Sequence, residues 1–121
     1  MKKILVVDDQ QEIRDLVEVT LRVADFKIFK AETGEKAIKI AREEKPELII
    51  MDVMMPGSID GLEATRQIKA DKKTRSCYVL LLTAKGQTDD IEAGKDAGAD
   101  EYFVKPFSPL ELIRKVEEIL E

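Results

Sequence analysis

Histidine is absent from the chain, which removes the commonest general base, the commonest metal ligand and any phosphohistidine relay carried by the chain itself. The single cysteine, Cys77, permits neither an internal disulfide nor a thiolate zinc cluster, so a reducing cytoplasm is the expected setting. Basic charge is in deficit. Twenty Lys and Arg face 25 Asp and Glu, a net charge of −5, which argues against direct binding to nucleic-acid phosphates. Long apolar runs are missing as well: Ile4 to Val7 follows the basic Met1-Lys2-Lys3 but stops at two aspartates, too short for a secretory segment. Nothing elsewhere approaches the length of a membrane span, so a soluble protein with no membrane contact is expected. Asparagine is also absent while charged residues reach 37%, a pairing compatible with a thermophilic source.

What is present is 121 residues, 44% of them hydrophobic, enough for one compact domain over 1–121. Short apolar runs alternate with amphipathic stretches. Ile4-Leu5-Val6-Val7, Phe26 to Phe29, Leu48-Ile49-Ile50-Met51, Val79 to Leu82 and Tyr102-Phe103-Val104 read as strands. Between them, Ile13, Leu16, Val17, Thr20 and Leu21 mark one face of a helix. Ala37, Ile38 and Ala41 mark a second, ended by Pro46; a third starts near Gly61 and runs past Ile68. A weaker fourth covers about Thr88 to Ala97, and Leu112, Ile113, Val116, Ile119 and Leu120 line a fifth, with Pro109 near its first turn. Five strands alternating with five helices specify an α/β fold, a doubly wound parallel sheet with right-handed crossovers. Such sheets bind ligands at the carboxyl ends of their strands.

Those ends carry the chemistry. The first strand runs into Asp8-Asp9, the third ends in Asp52, the fourth in Thr83, and the fifth runs into Lys105-Pro106. If the first and third strands are neighbours, three carboxylates converge and repel unless a cation neutralises them. Lys105 is one candidate. A hard divalent cation is the other, and oxygen donors without His or Cys suit Mg²⁺ rather than zinc.

Taken in order, Asp8-Asp9, Asp52 with Met54-Met55-Pro56, Thr83-Ala84 and Lys105-Pro106-Phe107 resemble the receiver domain of bacterial two-component response regulators across essentially the whole chain. The resemblance implies a flavodoxin-like sheet of order 2-1-3-4-5. It implies that Asp52 accepts a phosphoryl group from a partner sensor histidine kinase or phosphotransfer protein. It further implies that Asp9 ligates Mg²⁺ directly, that Asp8 acts mainly through a metal-bound water, and that the Met54 main-chain carbonyl completes the protein's share. Thr83 and Lys105 would hold phosphoryl oxygens, and the Lys105–Pro106 bond would be cis. Tyr102 resembles the family's switch aromatic, turning as Thr83 moves. The output would be altered binding of a downstream protein along the fourth helix, fifth strand and fifth helix, by a monomer or a weak phosphorylation-dependent dimer. Catalysis would extend only to the domain's own phosphorylation and slow autodephosphorylation.

Blander readings accompany these. Asp9 with Glu12 has capping-box spacing. Cys77 reads as a passive thiol, and Lys72-Lys73 with Arg75 as a solvated loop. Gly94 and Gly98 fit a mobile fourth helix. The stretch Met55-Pro56-Gly57-Ser58-Ile59-Asp60-Gly61 is one residue longer than the family pattern, and Met54 and Lys85 occupy variable positions flanking the phosphoryl site. A Mg²⁺-dependent phosphohydrolase is disfavoured, because no second acid stands two residues after Asp8 or Asp9 and no cap insertion is present. A flavin- or nucleotide-binding module is disfavoured because the first loop is acidic rather than rich in Gly, Ser and Thr. The chain has no room for a DNA-binding domain after the fifth helix, so a stand-alone or excised receiver is expected.

Overall fold

The computed structural model describes residues 1–22, 24–55, 57–84 and 88–120. Strands and helices alternate as β1 (Lys2–Val7), α1 (Gln11–Leu21), β2 (Phe26–Ala31), α2 (Gly34–Glu44), β3 (Leu48–Asp52), α3 (Gly61–Ala70), β4 (Tyr78–Ala84), α4 (Thr88–Ala97), β5 (Glu101–Lys105) and α5 (Pro109–Leu120). Every strand is somewhat longer than the apolar run that marks it, because backbone pairing extends onto the flanking residues. The sheet has the order β2-β1-β3-β4-β5 with all neighbours parallel, the flavodoxin-like arrangement.

Alternation along the strands sorts the core into two layers. Leu5, Val7, Ile49, Met51, Val79 and Leu81 pack with Ala37 and Ala41 of α2 and with Ala64 and Ile68 of α3. Ile4, Val6, Leu48, Ile50, Leu80 and Leu82 pack with Val17 and Leu21 of α1 and with Leu112 and Val116 of α5. The central β3 is buried on both sides, whereas the edge strand β5 alternates half-buried and exposed residues. Each large aliphatic side chain so buried contributes roughly 1.5–3 kcal/mol of hydrophobic free energy, before the opposing chain entropy. Among the described residues no helix is long and apolar enough to cross a membrane.

Helix starts are fixed by side-chain caps at Thr33, Asp60 and Ser108, whose oxygens accept from the amides of Lys36, Glu63 and Glu111. The capping-box reading of Asp9 with Glu12 is not realised. The residue before α1 is Gln10, which makes no side-chain cap, and its amide donates to Asp8 Oδ1 at 3.0 Å instead. A reciprocal box does occur at α5, where Glu111 Oε1 also accepts from the Ser108 amide. Gly94 has a packing reason: it is buried, and a Cβ there would lie 2.6 Å from Leu81 Cδ1.

Cys77 lies just before β4, 2% exposed, and burial pushes its thiol pKa up. Alkylation by an uncharged thiol reagent at neutral pH is therefore expected to be slow in the folded protein and fast in denaturant. Rapid stoichiometric labelling of the native state would contradict this placement.

Candidate functional site

The pleat brings the polar strand ends together. Asp8 follows β1 in phase with Ile4 and Val6, Asp52 is in phase with Leu48 and Ile50, and Lys105 is in phase with Phe103. All three therefore point toward the α1–α5 layer. Thr83, in phase with Leu81, points toward the other layer. Because β1 and β3 are neighbours, Asp8, Asp9 and Asp52 each offer a carboxylate oxygen within 4.8 Å of the others.

Burial differs sharply among them. Asp8 is fully buried and Asp52 nearly so, while Asp9 is exposed. Asp8 is fixed by its own backbone: its amide donates to Ala31 O, and its carbonyl accepts from Arg14 at 2.7 Å. Lys105 bridges the two buried acids, with Nζ 3.2 Å from both Asp8 Oδ2 and Asp52 Oδ1. Burial raises the Asp52 pKa, and the negative charges of Asp8 and Asp9 add to that, outweighing the opposing pull of Lys105. Burial also works against the Lys105 ammonium, but Asp52 and Asp8 outweigh it and hold its pKa above the usual lysine value. The Lys105–Pro106 bond is cis.

A cavity of about 270 Å³ opens over this cluster, lined by Asp9, Gln10, Asp52, Met54, Ala84 and Lys105. The Met54 side chain at its rim is 74% exposed. Thr83 Oγ1 is buried, and among the described residues it has no hydrogen-bond partner. Such a group carries an unrecovered desolvation cost until an acceptor arrives. Oxygen donors alone, several of them negative, form a set that fits a hard cation such as Mg²⁺.

The structure thus brings Asp8, Asp9, Asp52, Met54 and Lys105 to one place, with Thr83 at the end of the adjoining strand. Tyr102 stands apart. On β5 it pairs in register with Leu81, is 40% exposed, and lines a separate cavity of about 120 Å³ between α4 and β5. Lys85, at the second variable position, and Pro56 lie outside the described residues. In the loop after β3, Gly57 has a φ of 108°, and Ser58 Oγ donates to Glu35 Oε2 at 2.7 Å on the first turn of α2. Two residues escaped sequence reasoning. Nothing in the pattern of α1 marks Arg14 as the holder of the Asp8 carbonyl. Gly61 packs against the Asp52 peptide, and its place after the capping Asp60 was the available clue.

A family model described as the response regulator receiver domain matches residues 4–117. The chain belongs to that family. Among its relatives, the receiver domain is 40% identical over 119 residues to the phosphate regulon transcriptional regulatory protein PhoB of Pseudomonas aeruginosa, covering 98% of this chain and 52% of PhoB. It spans about half the length of the curated relatives it matches. The chemotaxis response regulator CheY4 of Vibrio cholerae superposes with a TM-score of 0.91 at 32% identity over 99% of each chain. The receiver domain of the sensor histidine kinase PA1611 from Pseudomonas aeruginosa superposes with a TM-score of 0.87 at 31% identity, covering 97% of this chain and 95% of that one. That structure has a magnesium ion coordinated in its active-site cleft. Receiver domains of response regulators are signalling modules, which histidine kinases phosphorylate on an aspartate, and they bind Mg²⁺.

Proposed function

We propose that Asp52 is the phosphoacceptor of this receiver domain and that the acids around it hold Mg²⁺. The observation that carries this reading is the shared Lys105 contact to two buried carboxylates, Asp8 and Asp52, beside a third, Asp9. An Asp52 carboxylate oxygen bonds to phosphorus as the P–N bond of a donor phosphohistidine breaks. The imidazole leaves with the bonding pair and takes a proton from solvent, and an acyl phosphate remains on Asp52. Bound at Asp9, Asp52 and the Met54 carbonyl, with Asp8 acting mainly through water, Mg²⁺ supplies positive charge that the carboxylates and phosphoryl oxygens both need. Lys105 pairs with one phosphoryl oxygen, and Thr83 donates its unpartnered hydroxyl to another. Water later cleaves the acyl phosphate, giving slow autodephosphorylation.

The kinase or phosphotransfer protein is the upstream partner. A downstream protein is met at α4–β5–α5, where Tyr102 stands at the surface and serves as the switch aromatic. The receiver itself makes no direct contact with nucleic acid or membrane, and works in the cytoplasm as a monomer or a weak phosphorylation-dependent dimer. It folds as one domain over 1–121.

A small acyl or amido phosphodonor with Mg²⁺ is expected to add one phosphoryl group, mapped to Asp52 by mass spectrometry and lost with chelator. An unchanged mass with several donors would overturn the proposal. Mg²⁺ alone is expected to stabilise the native state, by about 2.7 kcal/mol at a hundred times its Kd, read as a higher Tm. No shift at any concentration would contradict the metal site.

A further inference from the structure

Gly61 opens α3 with its backbone against the peptide that carries Asp52. Its amide donates to Val53 O at 3.0 Å, and a Cβ built on it would lie 2.0 Å from Asp52 O and 2.9 Å from Asp52 C. Those are backbone atoms, which cannot swing aside as the tip of a side chain can. Any side chain at 61 must therefore displace either α3 or the end of β3. The second option moves Asp52 and the adjoining Val53-Met54 segment, which line the cavity over the carboxylate cluster. The Asp60 cap holds the first turn of α3 in place, its Oδ1 accepting from the Glu63 amide at 2.9 Å.

Resting on the reading of Asp52 as phosphoacceptor, we propose that Gly61 is a positioning residue for the site. Its missing side chain lets the capped start of α3 brace the Asp52 peptide, and that brace sets where the Asp52 carboxylate and the Met54 carbonyl stand. Supporting groups one step removed from a metal typically govern its affinity by about ten- to a hundredfold. A misplacement of about 1 Å at a reacting group costs on the order of a hundredfold in rate.

The test uses the full chain with Mg²⁺ alone for affinity, by calorimetry, and a small phosphodonor for rate. Gly61→Ala is expected to weaken Mg²⁺ binding by about tenfold or more, to slow phosphorylation at saturating Mg²⁺, and to speed amide exchange at residue 61. Asp60→Ala, at an exposed cap, loosens the same brace without a clash and weakens Mg²⁺ binding several-fold; it decides the matter where Gly61→Ala does not fold. Two controls carry comparable insults elsewhere. Gly98→Ala strains a position with φ 95°, and Thr33→Ala removes the α2 cap; both are expected to lower Tm with Mg²⁺ affinity unchanged. Wild-type affinity in a folded Gly61→Ala variant, or in Asp60→Ala, would overturn the proposal, as would equal losses in the controls. A wild-type protein that neither binds Mg²⁺ nor takes a phosphoryl group would instead overturn the reading of the site.

Discussion

Asp52→Asn is expected to take up no phosphoryl group from any donor and, in the absence of divalent cation, to be more stable than the wild type. The two effects have one cause. Ionised Asp52 is nearly buried beside Asp8 and Asp9, and burial first, then those charges, raises its pKa above the ordinary carboxylate value. A carboxyl raised on folding contributes most to stability when protonated in both states, below its unfolded pKa of about 3.9. As pH rises, the unfolded chain releases its proton first, and stability falls until the folded pKa is passed. Above that the penalty is constant, about 1.4 kcal/mol for each unit of the raise. Asparagine keeps the shape and lacks the penalty. The stability difference between variant and wild type should thus be near zero in acid and grow with pH to a plateau once the folded Asp52 pKa is passed. Urea melts in chelator from about pH 4 to pH 8 would follow it. Saturating Mg²⁺ should shrink or reverse it, because the wild type then gains a ligand the variant lacks. A variant less stable than wild type at neutral pH without metal would argue against repulsion in the cluster.

How far such a site can be read from sequence depends on how local its determinants are. The five strands were legible because continuous apolar runs such as Ile4–Val7 and Leu48–Met51 occur where a sheet is covered on both faces. The acids were legible because strand ends in such sheets carry function. Pairing of β1 with β3, which makes neighbours of residues 44 apart, came from the family resemblance, since no local pattern encodes strand order. The Asp9 cap failed for a related reason. The helix starts one residue later than the Asp9–Glu12 spacing requires, with Gln10 in the capping position, and its amide goes to the Asp8 side chain, a start point that spacing does not carry. The Arg14 support of Asp8, six residues away, and the Ser58–Glu35 link, 23 residues apart, each rest on a single side-chain contact, and such contacts leave no period to detect. Tyr102 shows the limit from the other side: its exposure and its cavity fit a surface role, while its register opposite Leu81 was invisible in the residue string.

Lys105→Met should produce the other large effect, because one ammonium serves two purposes that Mg²⁺ can pull apart. Without metal, Lys105 is the cation within 3.2 Å of both Asp8 and Asp52, and the methionine stem would leave those buried charges facing each other. Breaking a buried pair costs about 3–5 kcal/mol. The lysine side chain is 27% exposed, so solvent screening brings the expected loss to about 2–3 kcal/mol. The lysine's own contribution does not change with pH near neutrality: its raised pKa keeps that contribution intact below the ordinary lysine value of about 10.4, and it fades only as pH passes the folded pKa. In the variant, the Asp52 pKa should rise further, so the stability gap narrows as pH falls and Asp52 protonates. Added Mg²⁺ should bind at least as tightly as in the wild type, since a competing cation is gone, and should recover most of the lost stability. Phosphorylation should stay slow by on the order of a hundred- to a thousandfold even then, the usual consequence of removing one group that stabilises transition-state charge. Melts and phosphorylation rates measured on the same Mg²⁺ titration separate the two roles. Full recovery of rate together with stability would reduce Lys105 to a counter-ion, and failure to recover stability would mean the lysine stem, rather than its charge, holds the strand ends together.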